Sequence, residues 1–177
     1  MMNEPSSARS KWPKVIGTLG VVLGALMVLD TLDDLLFQLF WNEEDWAAWV
    51  GADIARSIVA SMPPLAWALF SAVVQIGLGV YLVAGSLRLR RRRVSGVEMC
   101  RTWAKVTVAW VIVSMGLALW WVGRIAGEFA GATQAQVESA ALYGVALAAL
   151  LLLAYPLFLL YWFSKDGIRA EAATWAQ

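Results

Sequence analysis

Leu87-Arg88-Leu89-Arg90-Arg91-Arg92-Arg93 decides how this chain is read. Five arginines in seven residues cannot rest in hydrocarbon, yet the stretches on both sides are apolar enough to cross a bilayer. The run therefore divides the protein into two membrane hairpins and marks the side on which they meet the cytoplasm.

Outward from that run, four stretches approach the ~20 residues that span ~30 Å of hydrocarbon at 1.5 Å per residue. They are residues 15–36, 65–86, 106–122 and 141–163. The remaining composition agrees, with 60% hydrophobic residues, 15% charged residues and a mean hydropathy of +0.65. In lipid the backbone must satisfy its own hydrogen bonds, and unbroken apolar runs of this length do so only as helices. A transmembrane barrel would instead alternate with period two over ~10 residues. The sequence thus predicts an all-α fold: a four-helix transmembrane bundle forming one domain over residues 12–163, between a disordered N-terminus (1–11) and a tail (164–177). Pro63 and Pro64 start the second span, and Pro156 predicts a mild kink in the fourth.

Charge sets the orientation. Twelve of the fourteen Lys and Arg flank the spans on the side of the arginine run, and only Arg56 and Arg124 lie on the other. The positive-inside rule then puts both termini in the cytoplasm of a bacterial inner membrane. The formal charge of +1 hides a polarised molecule, near +8 inside and near −7 outside. The longest outer segment, 38–61, spaces Trp46, Trp49, Val50, Ile54 and Ile58 helically and predicts an amphipathic helix lying in the outer interface. The basic loop, read as running from Arg88 to Arg101, is suited to anionic lipid headgroups through Arg88, Arg90, Arg91, Arg92 and Arg93. A short loop pressed against a membrane is no nucleic-acid site. Cys100 is read as an ordinary reduced thiol in that loop.

Several residues are candidates for more than spanning. Asp30, Asp33 and Asp34 recur at i, i+3 and i+4 near the outer end of the first span. Asp30 stands about 24 Å above Lys14, short of the ~30 Å boundary. The cluster reads either as an interfacial helix end with Arg124 neutralising one carboxylate, or as an outer cation or proton site. Gln75 and Ser114 fall at the midpoints of the second and third spans and are expected to hydrogen-bond to neighbouring helices. Gly17, Gly20 and Gly24 line the first span and, as a small-residue stripe, predict close helix packing. Most of the eleven Trp fall near an interface, as an aromatic belt requires. Trp12-x-Lys14-Val15 and Trp103-x-Lys105-Val106 suggest a faint repeat equating the two hairpins. With no His in the chain, the commonest ligand for zinc, copper and haem is missing, and no cofactor or metal site is expected.

Two segments, Trp12-Pro-Lys-Val-Ile-Gly-Thr-Leu-Gly-Val-Val-Leu-Gly and Tyr155-Pro-Leu-Phe-Leu-Leu-Tyr-Trp-Phe-Ser, resemble small bacterial inner-membrane proteins with four helices. The resemblance implies an integral membrane protein and transfers no activity and no catalytic residue. The functional expectation is a non-enzymatic accessory or scaffold subunit whose partners are the lipid bilayer and either another membrane protein or copies of itself. The alternative is a small oligomeric channel or transporter with an acidic outer cation site.

Overall fold

The computed structural model describes residues 10–51, 64–126 and 132–175. Among them are six helices: α1 (Trp12–Phe40), α2 (Glu43–Val50), α3 (Leu65–Arg90), α4 (Val94–Ala126), α5 (Ala132–Trp162) and α6 (Asp166–Ala173). Four are long and apolar enough to cross a membrane, and no strand occurs among the described residues. α1 packs along α3, α3 along α4, and α4 along α5, while α6 touches α4 at the basic end.

The spanning helices overrun the predicted bounds, and the reason lies in the connections. The basic loop shrinks to a turn at Arg91–Arg93, held by Arg92 N–H to Leu89 O (2.9 Å) and Arg93 N–H to Arg88 O (3.1 Å). Arg92 takes a left-handed backbone with φ of 54°. Gly96 lies directly against the Leu89 backbone, and any Cβ there would collide with it. So tight a return leaves no room for a 14-residue loop. Cys100 consequently lies on α4, not in a loop, and is 1% exposed.

The outer interfacial helix expected over 38–61 is also redrawn. Residues 38–40 form the last turn of α1, and the chain breaks at Trp41 and Asn42 before α2 begins. The break is a capping box: Asn42 Oδ1 accepts from Glu44 N–H (2.9 Å) and Asp45 N–H (3.0 Å), and Asp45 Oδ2 accepts from Asn42 N–H (3.0 Å). Gly51, at φ 90°, ends α2. The rest of that expectation, like the N-terminal residues 1–9, lies outside the described residues.

The single offset of the faint repeat does not carry through to the second helix of each hairpin. Its offset of 91 residues carries Leu65, the first residue of α3, onto Pro156, which lies deep inside α5. No single offset aligns both hairpins.

Packing is concentrated at the basic end. Ile16, Leu82, Leu89, Trp103, Leu159 and Phe163 form a buried cluster there, joined by Ala172 and Trp175 from the tail. Trp103 is only 2% exposed, so it is a core residue and not part of an interfacial belt. Toward the opposite end the contacts thin. In the most apolar stretches of α4 and α5 only 11% of residues are buried, against 28% in α1 and 33% in α3.

Candidate functional site

The α1–α3 seam is the best-packed helix pair, and small residues make it so. A Cβ on Gly24 would stand 2.7 Å from Gly79 O and 2.8 Å from Val83 Cγ2. One on Gly17 would stand 2.7 Å from Ser86 O, and one on Gly20 would overlap the Ser86 hydroxyl. Backbones this close gain dispersion contacts, which drive helix association where lipid tails remove the hydrophobic incentive. Tyr155 reaches across from α5, its hydroxyl donating to Ile16 O at 3.1 Å. Pro156 beside it is buried inside α5.

Above Gly24 and Gly79 the seam opens into a groove of about 370 Å³. Thr31, Asp34 and Gln38 line it from α1, and Ser71 and Gln75 from α3, with Trp67, Ala68, Ala72, Leu35 and Phe37 as apolar walls. Thr31 and Ser71 donate their hydroxyl protons within their own helices, to Met27 O (2.7 Å) and Ala68 O (2.9 Å). Their lone pairs remain available to accept. The Asp34 carboxylate and the Gln38 and Gln75 amides have no hydrogen-bond or ion-pair partner among the described residues. Gly17 lies against Ser86 and Arg90 and Gly24 against Gly79 and Val83, a register that sets Gln75 level with about Asp30, whereas Asp34 stands about 30 Å above Lys14, at the hydrocarbon boundary. The groove therefore descends about one helical turn, roughly 6 Å, from a charged mouth to an amide floor.

The three aspartates do not act as one face. Asp34 turns into the groove, whereas Asp30 and Asp33 line an open concavity with Leu23, Leu26, Met27 and Leu29. Residues at i+3 and i+4 differ by ~100° around a helix, and the edge of α3 falls between them. Arg124 is exposed at the far end of α4, its guanidinium 5.4 Å from the Trp120 ring centroid. α1 and α4 do not pack along one another, because α3 lies between them. Ser114 is half-buried on α4 and is not among the groove's lining residues.

A second constellation, absent from the sequence reading, sits at the basic end. Glu171 on α6 accepts from Ser10 Oγ and from Trp12 Nε1 (2.7 Å), and its carboxylate pairs with Arg92 at 3.6 Å. Arg92 also donates to Ser10 O at 2.6 Å. Trp175 packs on Trp12 with ring centroids 5.2 Å apart, and Phe163 meets Trp12 edge-on at 6.0 Å. One carboxylate thus ties the N-terminal segment, the arginine turn and the tail together. Arg88, Arg90, Arg91 and Arg93 stay exposed around it, free for headgroups. The tail's signal was present in the spacing of Ile168, Glu171, Ala172 and Trp175, which puts an anchor and an acid on one side of a short helix.

Compared with protein families, with curated proteins and with solved structures, the chain finds no match in any of the three.

Proposed function

We propose that this multi-pass membrane protein is a non-enzymatic accessory or scaffold subunit of a bacterial inner membrane. Its basic end and both termini face the cytoplasm, and it assembles with other membrane subunits through its acidic half. The observation that carries this reading is the uneven distribution of packing. The basic end is closed by a buried core and the Glu171 tie, while the acidic half leaves a groove in which Asp34, Gln38 and Gln75 have no partner among the described residues. Polar groups at membrane depth are costly unless something answers them, and a neighbouring subunit does so. Native mass spectrometry of the protein extracted from its own membranes in mild detergent tests the reading. A fixed stoichiometry with itself or another subunit is expected; a bare monomer in both detergent and nanodiscs overturns it.

The second reading, a small channel or transporter, is favoured by the same groove, which admits cations as far as Gln75. It requires flux in vesicles that Asp34→Asn abolishes. Orientation is tested by labelling single cysteines placed at Ser164 and Arg124 from either side of the membrane.

A further inference from the structure

We propose that the cleft between α4 and α6 binds one phospholipid of the leaflet at the basic end, and that its headgroup carries a primary ammonium beside the phosphate. α4 places Glu98, Arg101, Thr102 and Lys105 at i, i+3, i+4 and i+7, so all four share one helical face. Glu98, Thr102 and Lys105 are exposed and Arg101 is half-buried. Glu98, Arg101 and Lys105 have no ion-pair partner among the described residues.

The face runs into the membrane. Gly85 lies against Met99 and Cys100, so Lys105 is level with about Val80, eight residues and about 12 Å inside the level of Arg88. A cation facing lipid at that depth is costly until an anion answers it. Side chains on a helix lean toward its N-terminus, which for α4 is the basic end, so Arg101 and Lys105 bring their charges down toward the headgroups. There Glu98 and Arg101 enter a cleft of about 200 Å³, with Arg169 of α6 facing them and Val97, Phe163 and Ile168 as apolar walls. Arg169 is held at the wall by its Nε donating to Phe163 O at 3.3 Å, with Asp166 at 4.0 Å from its Nη1.

The order of groups along this face names the occupant. From the basic end it presents a carboxylate, then a guanidinium, then a hydroxyl and an ammonium, and beyond them the exposed apolar Ala109, Ile112 and Gly116. An aminophospholipid lying along the helix has the complementary order: ammonium, phosphate, ester carbonyls, acyl chains. Glu98 accepts from the ammonium, Arg101 and Arg169 clasp the phosphate, and Thr102 and Lys105 donate to the esters or the phosphate. Glu98 and Arg101 stand one turn apart, about 5–6 Å between Cβ atoms, which suits charges joined by a two-carbon link. A wholly anionic headgroup satisfies the arginines but leaves Glu98 unanswered beside it. A second copy docked on this face about a two-fold axis along the membrane normal would set Lys105 against Lys105 and Glu98 against Glu98.

The full chain, reconstituted in nanodiscs with equal phosphatidylethanolamine, phosphatidylglycerol and phosphatidylcholine, is released into mild detergent and weighed by native mass spectrometry. One phosphatidylethanolamine per chain is expected, retained about tenfold over either competitor; the quaternary ammonium of phosphatidylcholine has no N–H to give Glu98. Glu98→Gln should lower the ratio of phosphatidylethanolamine to phosphatidylglycerol about tenfold, Arg101→Gln should lower retention of all three, and Lys14→Gln should leave the ratio unchanged. Each ratio is taken within one variant, so it does not depend on yield or partial unfolding. Equal retention of phosphatidylethanolamine and phosphatidylglycerol by the wild type, or a ratio unmoved by Glu98→Gln, overturns the proposal. So does a co-purifying subunit that Glu98→Gln expels while no lipid is retained. The scaffold reading rests on the acidic half and stands or falls separately.

Discussion

Replacing Glu171 with Ala is expected to release the tail helix while leaving the spanning helices in place. The carboxylate accepts from Ser10 Oγ and Trp12 Nε1 and pairs with Arg92, and the Arg92 and Glu171 side chains are 29% and 28% exposed. Hydrogen bonds to a charged group are worth roughly 1.5–3 kcal/mol each when well shielded. Partial exposure at a wet interface reduces them, so about 2 kcal/mol is assigned to the set. α6 is eight residues long, too short to persist as a helix without tertiary contacts. A loss of about 2 kcal/mol therefore raises the population of the undocked tail by roughly thirtyfold. Hydrogen–deuterium exchange on the intact protein in nanodiscs reads this directly. Amides of residues 166–175 should exchange roughly thirtyfold faster, whereas those of α4 near Trp103 should be unchanged. Glu171→Gln keeps one acceptor and loses the charge, so it should fall between the two. Tail exchange in Glu171→Ala within about twofold of the wild type would refute the assignment of Glu171 as the tie.

Three further outcomes follow from the packing. Gly24→Ala forces a methyl against Gly79 O and should cost about 1–3 kcal/mol in thermal or denaturant unfolding in detergent, because a helix backbone cannot step aside. Gly77→Ala, with nothing within 4 Å of its new methyl, should stay within about 0.5 kcal/mol of wild type and serves as the control. Trp103→Ala empties the core and should cost about 3–5 kcal/mol, whereas Trp103→Phe should cost far less, because the indole N–H it removes is buried without a hydrogen-bond partner. Arg92→Ala should be about 1 kcal/mol less stable than Arg92→Gly. Both lose the Glu171 pair, but only Gly takes φ of 54° without penalty.

What the sequence made legible, it made legible through composition and periodicity. Four apolar runs locate four spanning helices because hydrocarbon imposes one length and one backbone solution on every segment that crosses it. The Gly17, Gly20, Gly24 stripe points to the α1–α3 seam for a similar reason, since few roles other than close approach call for three small residues on one helical face. The ends of the helices were harder. Nothing in the apolar count distinguishes a 14-residue loop from a three-residue turn continued by helix, because Val94 to Lys105 is polar enough for either. Gly96 settles the matter only once Leu89 is known to lie against it. Glu171 was invisible for another reason. Its partners, Ser10, Trp12 and Arg92, are between 79 and 161 residues distant in sequence, and no local pattern records a carboxylate shared among three separate segments.

The groove shows how a packing motif and a polar site can be one feature of the chain. α1 and α3 approach closely where glycine faces glycine, at Gly24 and Gly79, and where Gly17 and Gly20 face Ser86. The small residues of α1 stop at Gly24. Two to four turns further, the residues facing α3 are Thr31, Asp34 and Gln38, and α3 answers with Gln75 and Ser71 across two alanines. Alanines on α3 keep the wall low, so the larger polar side chains of α1 do not fill the space and an opening remains. Had the stripe continued through position 31, the seam would close over its whole length and Asp34 would be left facing lipid. The length of the glycine stripe thus fixes where the groove begins, and Asp34 at the boundary fixes the charge of what can enter it.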